Sequence, residues 1–291
     1  MNEVITVNRF PVSLETNINR HMKKTRGGKI KTAAKSKSGL AVKLTIFILV
    51  GLTVYGFLSF DYKNIDIAEA VSGTLKNIKV LFGQPHLKYN TVPGALKALL
   101  MTFSLGVLST VFGAVIGLFG ALLCAKNIAN PAVANVVKSF VAFIRAVPTI
   151  LWVLIFTVAA GLGSVAAVVG LTFHSAGYLI KAYAEAIEEM DGGAVEALKA
   201  SGAGYWQIIF QAVLPSSVSY MVAWTFLRFE INFTNAIAVG AAAGAGGIGF
   251  DLFMAGNFYF DLSELGFITY IVVAAVILLE IAATKIKAKV R

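Results

Sequence analysis

Residues 196–215 read Glu-Ala-Leu-Lys-Ala-Ser-Gly-Ala-Gly-Tyr-Trp-Gln-Ile-Ile-Phe-Gln-Ala-Val-Leu-Pro, and this stretch lies between two long apolar segments. The run 194–201 contains good helix formers with a single β-branched residue, so it predicts a short helix. Gly202 is expected to end that helix, because glycine readily adopts a left-handed backbone conformation. Pro215 is expected in the first turn of the next helix, where its missing N–H loses no hydrogen bond. The stretch therefore predicts a short helix set at an angle to the apolar helices beside it.

The composition predicts a protein that crosses a membrane several times. Hydrophobic residues make up 57% of the 291 residues and charged residues only 14%, whereas soluble proteins carry about 25% charged residues. The single cysteine, Cys124, excludes an internal disulfide and a cysteine metal cage. The three histidines lie far apart and show no metal-ligand spacing. The sequence therefore predicts no metal site and no catalytic residue; the histidines are His21, His86 and His174.

Six segments are apolar and long enough, or nearly so, to cross a bilayer as helices of about 20 residues. They are 43–60, 96–124, 138–160, 164–184, 213–238 and 264–284. Pro148 is expected to kink the third segment. The second and fifth segments exceed one crossing, so tilt or a non-spanning portion is expected there. The predicted fold class is an all-α integral membrane protein with six transmembrane helices.

The distribution of positive charge predicts the orientation. Residues 1–43 hold ten Lys and Arg against two Glu, a charge of +8 directly before the first span. A basic segment of this kind is also typical of nucleic-acid binding, but a basic flank next to a span is a cytoplasmic signal. The last seven residues carry four more cations, so an even number of spans places both termini in the cytoplasm.

This orientation divides the chain into five parts. They are a basic cytoplasmic tail at 1–42, a first transmembrane helix at 43–60, an extracytoplasmic connection at 61–95, a five-helix core at 96–285 that includes a cytoplasmic loop at 185–215, and a second basic cytoplasmic tail at 286–291. The cytoplasmic loop carries five acidic residues against one lysine. Acidic residues contribute little to topology, and a surface that receives a partner protein would explain them.

Two residues of the third and fourth spans are candidates for a path through the membrane, because ionisable groups at membrane depth usually face a cavity or a partner. Arg145 is expected either at a cytoplasmic gate or with its side chain extended to the lipid head groups. His174 shares one helical face with Tyr178, Lys181 and Glu185. That polar stripe predicts either a lining of the path or a structural hydrogen-bond seam.

The fifth span adds three candidates. Arg228 and Asn232 share one helical face, whereas Glu230 lies about 200° around the helix from Arg228 and faces elsewhere. Arginine suits a planar anion such as phosphate or phosphonate, because its guanidinium donates several hydrogen bonds in a fixed geometry. A fixed ion pair between this arginine and a carboxylate of another helix is an equally open alternative.

A glycine-rich segment at 240–249 reads Gly-Ala-Ala-Ala-Gly-Ala-Gly-Gly-Ile-Gly. It lacks the Gly-Lys followed by Ser or Thr that a phosphate-binding loop requires, so no nucleotide site and no cofactor are predicted on this chain. Small residues at this place favour close helix contact or a re-entrant turn. The candidate residues are Gly244, Gly246, Gly247 and Gly249.

The stretch quoted above resembles the Glu-Ala-Ala coupling motif of bacterial ABC importer permeases. Its matching residues are Glu196, Ala197, Gly202, Leu214 and Pro215, whereas Leu198 and Ala212 depart from the motif. Three further segments resemble the permease subunit of phosphonate importers, a group that includes phosphite and related oxyanion transporters. These segments are 143–152, 174–191, and 228–232 together with 245–250, and the resemblance covers about residues 90–285.

The resemblance implies a type I importer permease in the bacterial inner membrane that carries a small oxyanion. It implies a second copy of the permease, two cytoplasmic ATP-binding subunits that hold Mg-ATP, and an extracytoplasmic solute-binding protein at the 239–263 side. The helix at the motif would rest in a groove of the ATP-binding subunit. The bilayer is a further partner, and nucleic acid is not one.

Three other functions stay open from the sequence. The first is a permease for another small solute such as an amino acid, and the second is an ATP-independent secondary transporter, whose hallmark would be internal repeats with broken helices. The third is an intramembrane enzyme that uses His174, Glu230 and Asp251 as acid and base, but no nucleophile–base spacing supports it. The exact substrate stays open as well.

Overall fold

The computed structural model describes residues 22–24, 30–32, 37–60 and 66–290. The predicted basic tail at 1–42 therefore lies largely outside the described residues. The chain forms two compact units, which divide after Ile67. The first unit contains an antiparallel strand pair and one helix: β1 (Met22–Lys24), β2 (Ile30–Thr32) and α1 (Lys37–Ser59).

Every regular element that the structure describes in the second unit is a helix. The helices are α2 (Ile67–Gly83), α3 (Val92–Cys124), α4 (Pro131–Ala146), α5 (Thr149–Ala160), α6 (Ser164–Glu188), α7 (Gly193–Ala200), α8 (Tyr205–Ile208), α9 (Leu214–Ala242), α10 (Gly247–Phe253) and α11 (Leu262–Val290). A π-helical segment joins α8 to α9, and another follows α10; they are Ile209–Val213 and Met254–Phe258.

Among the described residues, five helices are long and apolar enough to cross a membrane, and the bent pair α4–α5 would make a sixth crossing. The all-α membrane fold predicted from the sequence is thereby confirmed. The five are Gly39–Ser59, Val92–Cys124, Ser164–Glu188, Tyr205–Ala242 and Leu262–Lys285. Helix α11 continues through residues 286–290, which were predicted as a tail.

The third predicted span is two helices and not one kinked helix. Helix α4 ends at Ala146, α5 begins at Thr149, and their axes differ by 91°. Pro148 explains the break, because proline has no N–H for the helix ladder and forces the preceding residue into an extended conformation. Val147 has that conformation, with φ −89° and ψ 125°. The Trp152 indole Nε1 of α5 donates to the Ile144 carbonyl of α4 at 2.9 Å, and this hydrogen bond links the two helices across the break.

The fifth span begins earlier than the sequence predicts. Pro215 stands in the first turn of α9, as the sequence predicts, but a π-helical segment and α8 extend the helix back to residue 205. The π-helical segment accommodates the proline, since its wider turn lets the Leu214 N–H bond the Ile209 carbonyl five residues back. The long helix therefore begins at Tyr205 and Trp206, within the stretch quoted at the start.

Helices α3 and α6 form the centre of the second unit, and α4, α5 and α9 pack around them. Three glycines of α3, spaced four and three residues apart, let α6 approach closely; they are Gly113, Gly117 and Gly120. A Cβ atom on Gly113 would lie 2.7 Å from the Ser175 Cβ, which is closer than real Cβ atoms come. Small residues at such a contact are typical of helix pairs in membranes.

Candidate functional site

A buried polar centre lies where α3, α6 and α9 meet. Arg228 of α9 is only 2% exposed, and its side chain points toward α6. Its Nε donates to the Ser175 hydroxyl at 3.0 Å, and its Nη2 lies 2.8 Å from the His174 Nδ1. A guanidinium can only donate, so the His174 Nδ1 accepts this bond. The Thr149 hydroxyl, at the start of α5, lies 2.9 Å from the same nitrogen.

Asn232 extends this centre by one helical turn toward α3. Its Nδ2 donates to the hydroxyls of Thr110 and Ser175, each at 2.8 Å. Ser175 therefore connects Asn232 with Arg228, and all of these side chains except His174 and Thr149 are fully buried. The predicted candidates Arg228, Asn232 and His174 thus belong to one network.

Arg145 reaches the same centre through an aromatic ring. The Tyr178 ring centroid lies 5.3 Å from the Arg228 Cζ and 6.0 Å from the Arg145 Cζ, so two cations flank one ring. The Trp224 ring contacts Tyr178 edge-on, at 6.0 Å between centroids. Cation–π contacts of this kind hold a guanidinium in place without neutralising its charge.

The ion pairs formed by the part of the chain that the structure describes do not include Arg145 or Arg228. They join Lys138 to Glu188 at 2.9 Å and Lys181 to Glu185 at 3.3 Å. The alternative that a carboxylate of another helix neutralises Arg228 is therefore not realised among the described residues. The centre holds two guanidiniums and one imidazole and has no described counter-ion within 4 Å of either guanidinium.

Glu230 lies apart from this centre, as its position around the helix requires. It lines a cleft of about 280 Å³ between α9 and α11. The other lining residues are Ile231, Phe233, Thr234, Asn235, Val276, Leu279 and Glu280. The structure therefore separates Glu230 from the other four path candidates.

The quoted stretch forms a short helix at the end of the bundle where α6 ends. Helix α7 turns Val195 into the core and packs Leu198 against it, whereas Glu196 and Ala197 are exposed. Gly202 follows with φ +82°, and its N–H donates to the Lys199 carbonyl at 3.0 Å. The positive φ that the sequence predicts for this glycine is thus present, and it directs the chain from α7 into the long fifth span.

An exposed aromatic cluster adjoins α7. Tyr205, Trp206 and Phe210 are 44%, 55% and 64% exposed, and their rings contact one another in sequence order. Leu214 is half-buried against the core, and Pro215 is exposed. Large exposed aromatic side chains are a frequent anchor type at protein interfaces.

The end of α6, where the chain leads into α7, is hydrogen-bonded to the connection between α3 and α4. One carboxylate oxygen of Glu188 accepts from the Lys126 backbone N–H at 2.8 Å and from the Lys138 Nζ at 2.9 Å. The Asn127 side-chain amide donates to the Ile187 carbonyl at 2.8 Å. The end of α6, which leads into α7, is therefore held in a defined position.

The glycine-rich segment forms a tight turn at the opposite end of the bundle. Gly244, Gly246 and Gly247 have φ values of +58°, +76° and +74°, which favour glycine. The turn folds α10 back onto α9, and the Ile248 N–H donates to the Thr102 hydroxyl of α3 at 3.0 Å. The close helix contact, one of the two forms expected from the sequence, is present.

Gly249 allows the closest of these contacts. A Cβ atom added there would overlap the Ile237 carbonyl oxygen of α9. Gly249→Ala is therefore expected to lower the free energy of unfolding by about 1–3 kcal/mol, the usual cost of overpacking. The matched control is Gly256→Ala, whose added Cβ would meet only the Leu265 side chain, at 3.6 Å. Thermal unfolding of the purified variants in detergent tests this, and equal melting temperatures would contradict the packing described.

A buried carboxylate ties α11 to the loop before α3 at the same end. Glu264, 2% exposed, accepts backbone N–H groups from Lys88, Tyr89 and Asn90 at 3.3, 2.9 and 2.8 Å. The Asn90 amide donates to the Asp251 carboxylate at 2.8 Å. Burial raises the pKa of the Asp251 carboxyl; the Asn90 hydrogen bond opposes this, and the nearby Glu264 adds to it.

Several residues of these hydrogen-bond networks were missed in the sequence. Ser175, Thr110 and Thr149 carry no charge, and hydroxyls are common in apolar helices, so only their spacing relative to the glycines of α3 or to Pro148 could have marked them. Glu264 was missed because it stands at the edge of a span. The acid–base set His174, Glu230 and Asp251 is not assembled, since none of the three contacts another among the hydrogen bonds and ion pairs described.

Comparison with known proteins gives a consistent match. Residues 113–287 match the family model described as binding-protein-dependent transport system inner membrane component. The chain is 35% identical over 153 residues to a phosphate-import permease protein, PhnE, of Mycolicibacterium smegmatis, a match that covers 52% of this chain and 29% of that protein. It is 34% identical over 188 residues to a phosphite transport system permease protein, PtxC, of Stutzerimonas stutzeri, covering 64% of this chain and 65% of the relative. The matches thus span less than two thirds of each relative.

A solved structure matches the fold over nearly its whole length. A chain of the MetNI methionine ABC transporter, in an inward-facing conformation, superimposes with a TM-score of 0.61 at 26% sequence identity. The match covers 67% of this chain and 95% of that chain. A bacterial transporter of the polysaccharide alginate is similar in fold, with a TM-score of 0.58 at 14% identity over 87% of this chain.

Proposed function

Because the chain belongs to the binding-protein-dependent transport system inner membrane components, we propose that it is the membrane-spanning subunit of an ATP-driven importer. The solute is a small phosphorus oxyanion such as phosphate, phosphite or a phosphonate. A binding protein delivers the solute on one side of the membrane, and separate ATP-binding subunits supply the energy on the other. The chain itself performs no catalysis.

The buried Arg228 is the observation that most supports an anionic substrate. The two hydrogen bonds that it makes use two of the five N–H donors of a guanidinium, so three remain for a ligand. Arg145 places a second positive charge beside the same tyrosine ring. At membrane depth, unneutralised cations are expensive, and an anionic solute that passes through would offset that cost. Arginine binds phosphate-like oxygens in a bidentate way, which adds geometric selectivity to charge.

The relatives support the same class. One relative is described as a phosphate-import permease and another as a phosphite transport permease. The second candidate function is import of an amino acid, which the likeness to a methionine transporter favours. An amino acid carries both charges, so its site needs an acidic partner for the ammonium group, whereas the described centre offers cations and hydroxyls.

Each proposed partner binds at one of the two ends of the helix bundle. The exposed face of α7, with Glu196 and Ala197, and the adjoining aromatic cluster are the surface offered to an ATP-binding subunit, which holds Mg-ATP. The end with the glycine-rich turn is the side at which the solute-binding protein docks. A second copy of the chain completes the path, and α7 faces the cytoplasm of a bacterial cell.

Competition for uptake tests the substrate class. The permease is reconstituted into proteoliposomes with its cognate ATP-binding subunit and binding protein, and uptake of radiolabelled phosphite, methylphosphonate, phosphate and methionine is measured. At least one phosphorus oxyanion is expected to accumulate and to be displaced by the others, with no effect of methionine. Accumulation of methionine alone would contradict the proposed substrate class and would support import of an amino acid.

A further inference from the structure

Helix α2, at Ile67–Gly83, carries an apolar stripe that no described residue covers. Five large apolar side chains recur at three- and four-residue intervals, within an arc of about 80° for a regular helix. All five are exposed; they are Ile67, Val71, Leu75, Ile78 and Phe82. Lys76 and Gly73 lie on the opposite face, whereas Ser72 and Lys79 flank the stripe, about 100° and 80° from its centre. This pattern is typical of a helix that lies at an interface between an apolar phase and water.

The last turn of α2 is fixed to the beginning of a membrane span. The Tyr270 hydroxyl of α11 donates to the Phe82 carbonyl at 2.7 Å, and the Phe82 and Tyr270 rings meet edge-on. Gly266 lets the two chains approach, because a Cβ atom there would overlap the Leu81 carbonyl oxygen. Since α11 is a span that begins at Leu262, these contacts place the end of α2 beside the second and third turns of that span.

The rest of α2 leaves the protein surface. No residue of α2 is buried in the described structure. The neighbouring spans α3 and α11 themselves present exposed apolar side chains, among them Leu96, Leu100 and Val273. The stripe of α2 therefore continues an apolar belt that belongs to the lipid-facing surface of the bundle. The two lysines outside the stripe suit the phosphates of lipid head groups.

We propose that α2 is an interfacial helix whose stripe inserts into the acyl chains of the lipids at the surface where α11 begins. Its axis then lies along the membrane, with Lys76 and Lys79 among the head groups. The contact holds the loop at 84–90 against the bundle, so lipid stabilises the same corner that Glu264 ties together. This inference depends on the membrane fold and not on which solute is transported.

Spin labels on the full-length chain in lipid vesicles test the proposal. Cys124 is buried and is replaced by alanine, and single cysteines are then placed at Leu75 or Ile78 on the stripe. Gly73→Cys and Lys76→Cys, on the opposite face, are the matched controls, and an added Cβ at Gly73 meets nothing within 4 Å. Labels on the stripe are expected to collide several-fold more often with oxygen, which concentrates in lipid, than with a water-soluble nickel chelate. The control labels are expected to show the reverse preference.

Two outcomes would overturn the proposal. Frequent collision of the stripe labels with the nickel chelate would place the stripe in water. Low collision with both reagents would show that protein, such as a second copy of the chain, covers it. Leu75→Trp and Lys76→Trp, compared by fluorescence quenching with brominated lipids, repeat the test without any change at Cys124, and equal quenching of the two would count against lipid insertion.

Discussion

Replacing Arg228 with glutamine is expected to lower oxyanion uptake by about 10- to 100-fold, the effect of losing hydrogen bonds from a charged donor worth about 1.5–3 kcal/mol. Glutamine keeps one amide donor that can serve Ser175 but removes the charge and the fork of donors that a phosphorus oxyanion would accept. The effect should fall on uptake, since the surface proposed for the ATP-binding subunit is α7, which does not contact Arg228.

Uptake and complex formation are therefore measured on the same preparations. Lys181→Gln is the matched control, because Lys181 is also a cation of a span, yet it is half-exposed and paired with Glu185 away from the centre. The control should transport almost like the unaltered protein. If Arg228→Gln transports at the normal rate while its complex is intact, Arg228 has no part in the path.

Gly202→Pro is expected to separate ATP hydrolysis from uptake. Proline fixes φ near −65° and cannot adopt the +82° seen here, and it also removes the N–H that bonds the Lys199 carbonyl. The local cost is about 1–3 kcal/mol, enough to change the angle of the exposed α7 without unfolding the buried bundle. Hydrolysis by the partner should persist, and uptake should fall to background.

The control for this change is Gly192→Ala, at the other end of α7. Gly192 has φ −70°, and an added Cβ meets nothing within 4 Å, so alanine fits without strain. Hydrolysis and uptake are followed in one proteoliposome sample for each variant. Uptake by Gly202→Pro that keeps its normal ratio to ATP hydrolysed would refute a mechanical role for this bend.

Much of the fold could be predicted from the sequence, because the length of an apolar run and the position of a glycine determine local structure. The spans follow from runs of apolar residues that only a helix can carry through lipid, and α7 follows from helix formers that end at Gly202. The break at Pro148 was foreseen as a kink, but its size was not. The 91° corner depends on Trp152 reaching the Ile144 carbonyl, a contact between helices that no local pattern specifies.

The early start of the fifth span was missed for a related reason. Pro215 is typical of a first helical turn. The sequence offers no sign that a π-helical segment before it would extend the helix toward residue 205. Helix α2 was missed because its apolar residues are spread along one face and never form the continuous run used to find spans. Its 3.6-residue period was present, so a search for amphipathic segments would have found it.

The polar centre could be foreseen only in part. Arg228, His174 and Asn232 stand out as polar groups in apolar helices, and helical spacing placed Glu230 on another face. Their assembly depends on glycines of α3 that bring Ser175 and Thr110 within reach, which is a property of packing between distant segments. The charge balance around Arg228 likewise became visible only when every neighbouring helix was in place.

The central claim is that force from a separate ATPase, applied through α7, moves an anion past Arg228. Uptake of a labelled phosphorus oxyanion into proteoliposomes, with ATP present or absent and with the ATP-binding subunit present or omitted, tests this most directly. The account predicts accumulation only when both the subunit and ATP are supplied. Accumulation by the chain alone, driven by an ion gradient, would contradict it and would identify a secondary transporter.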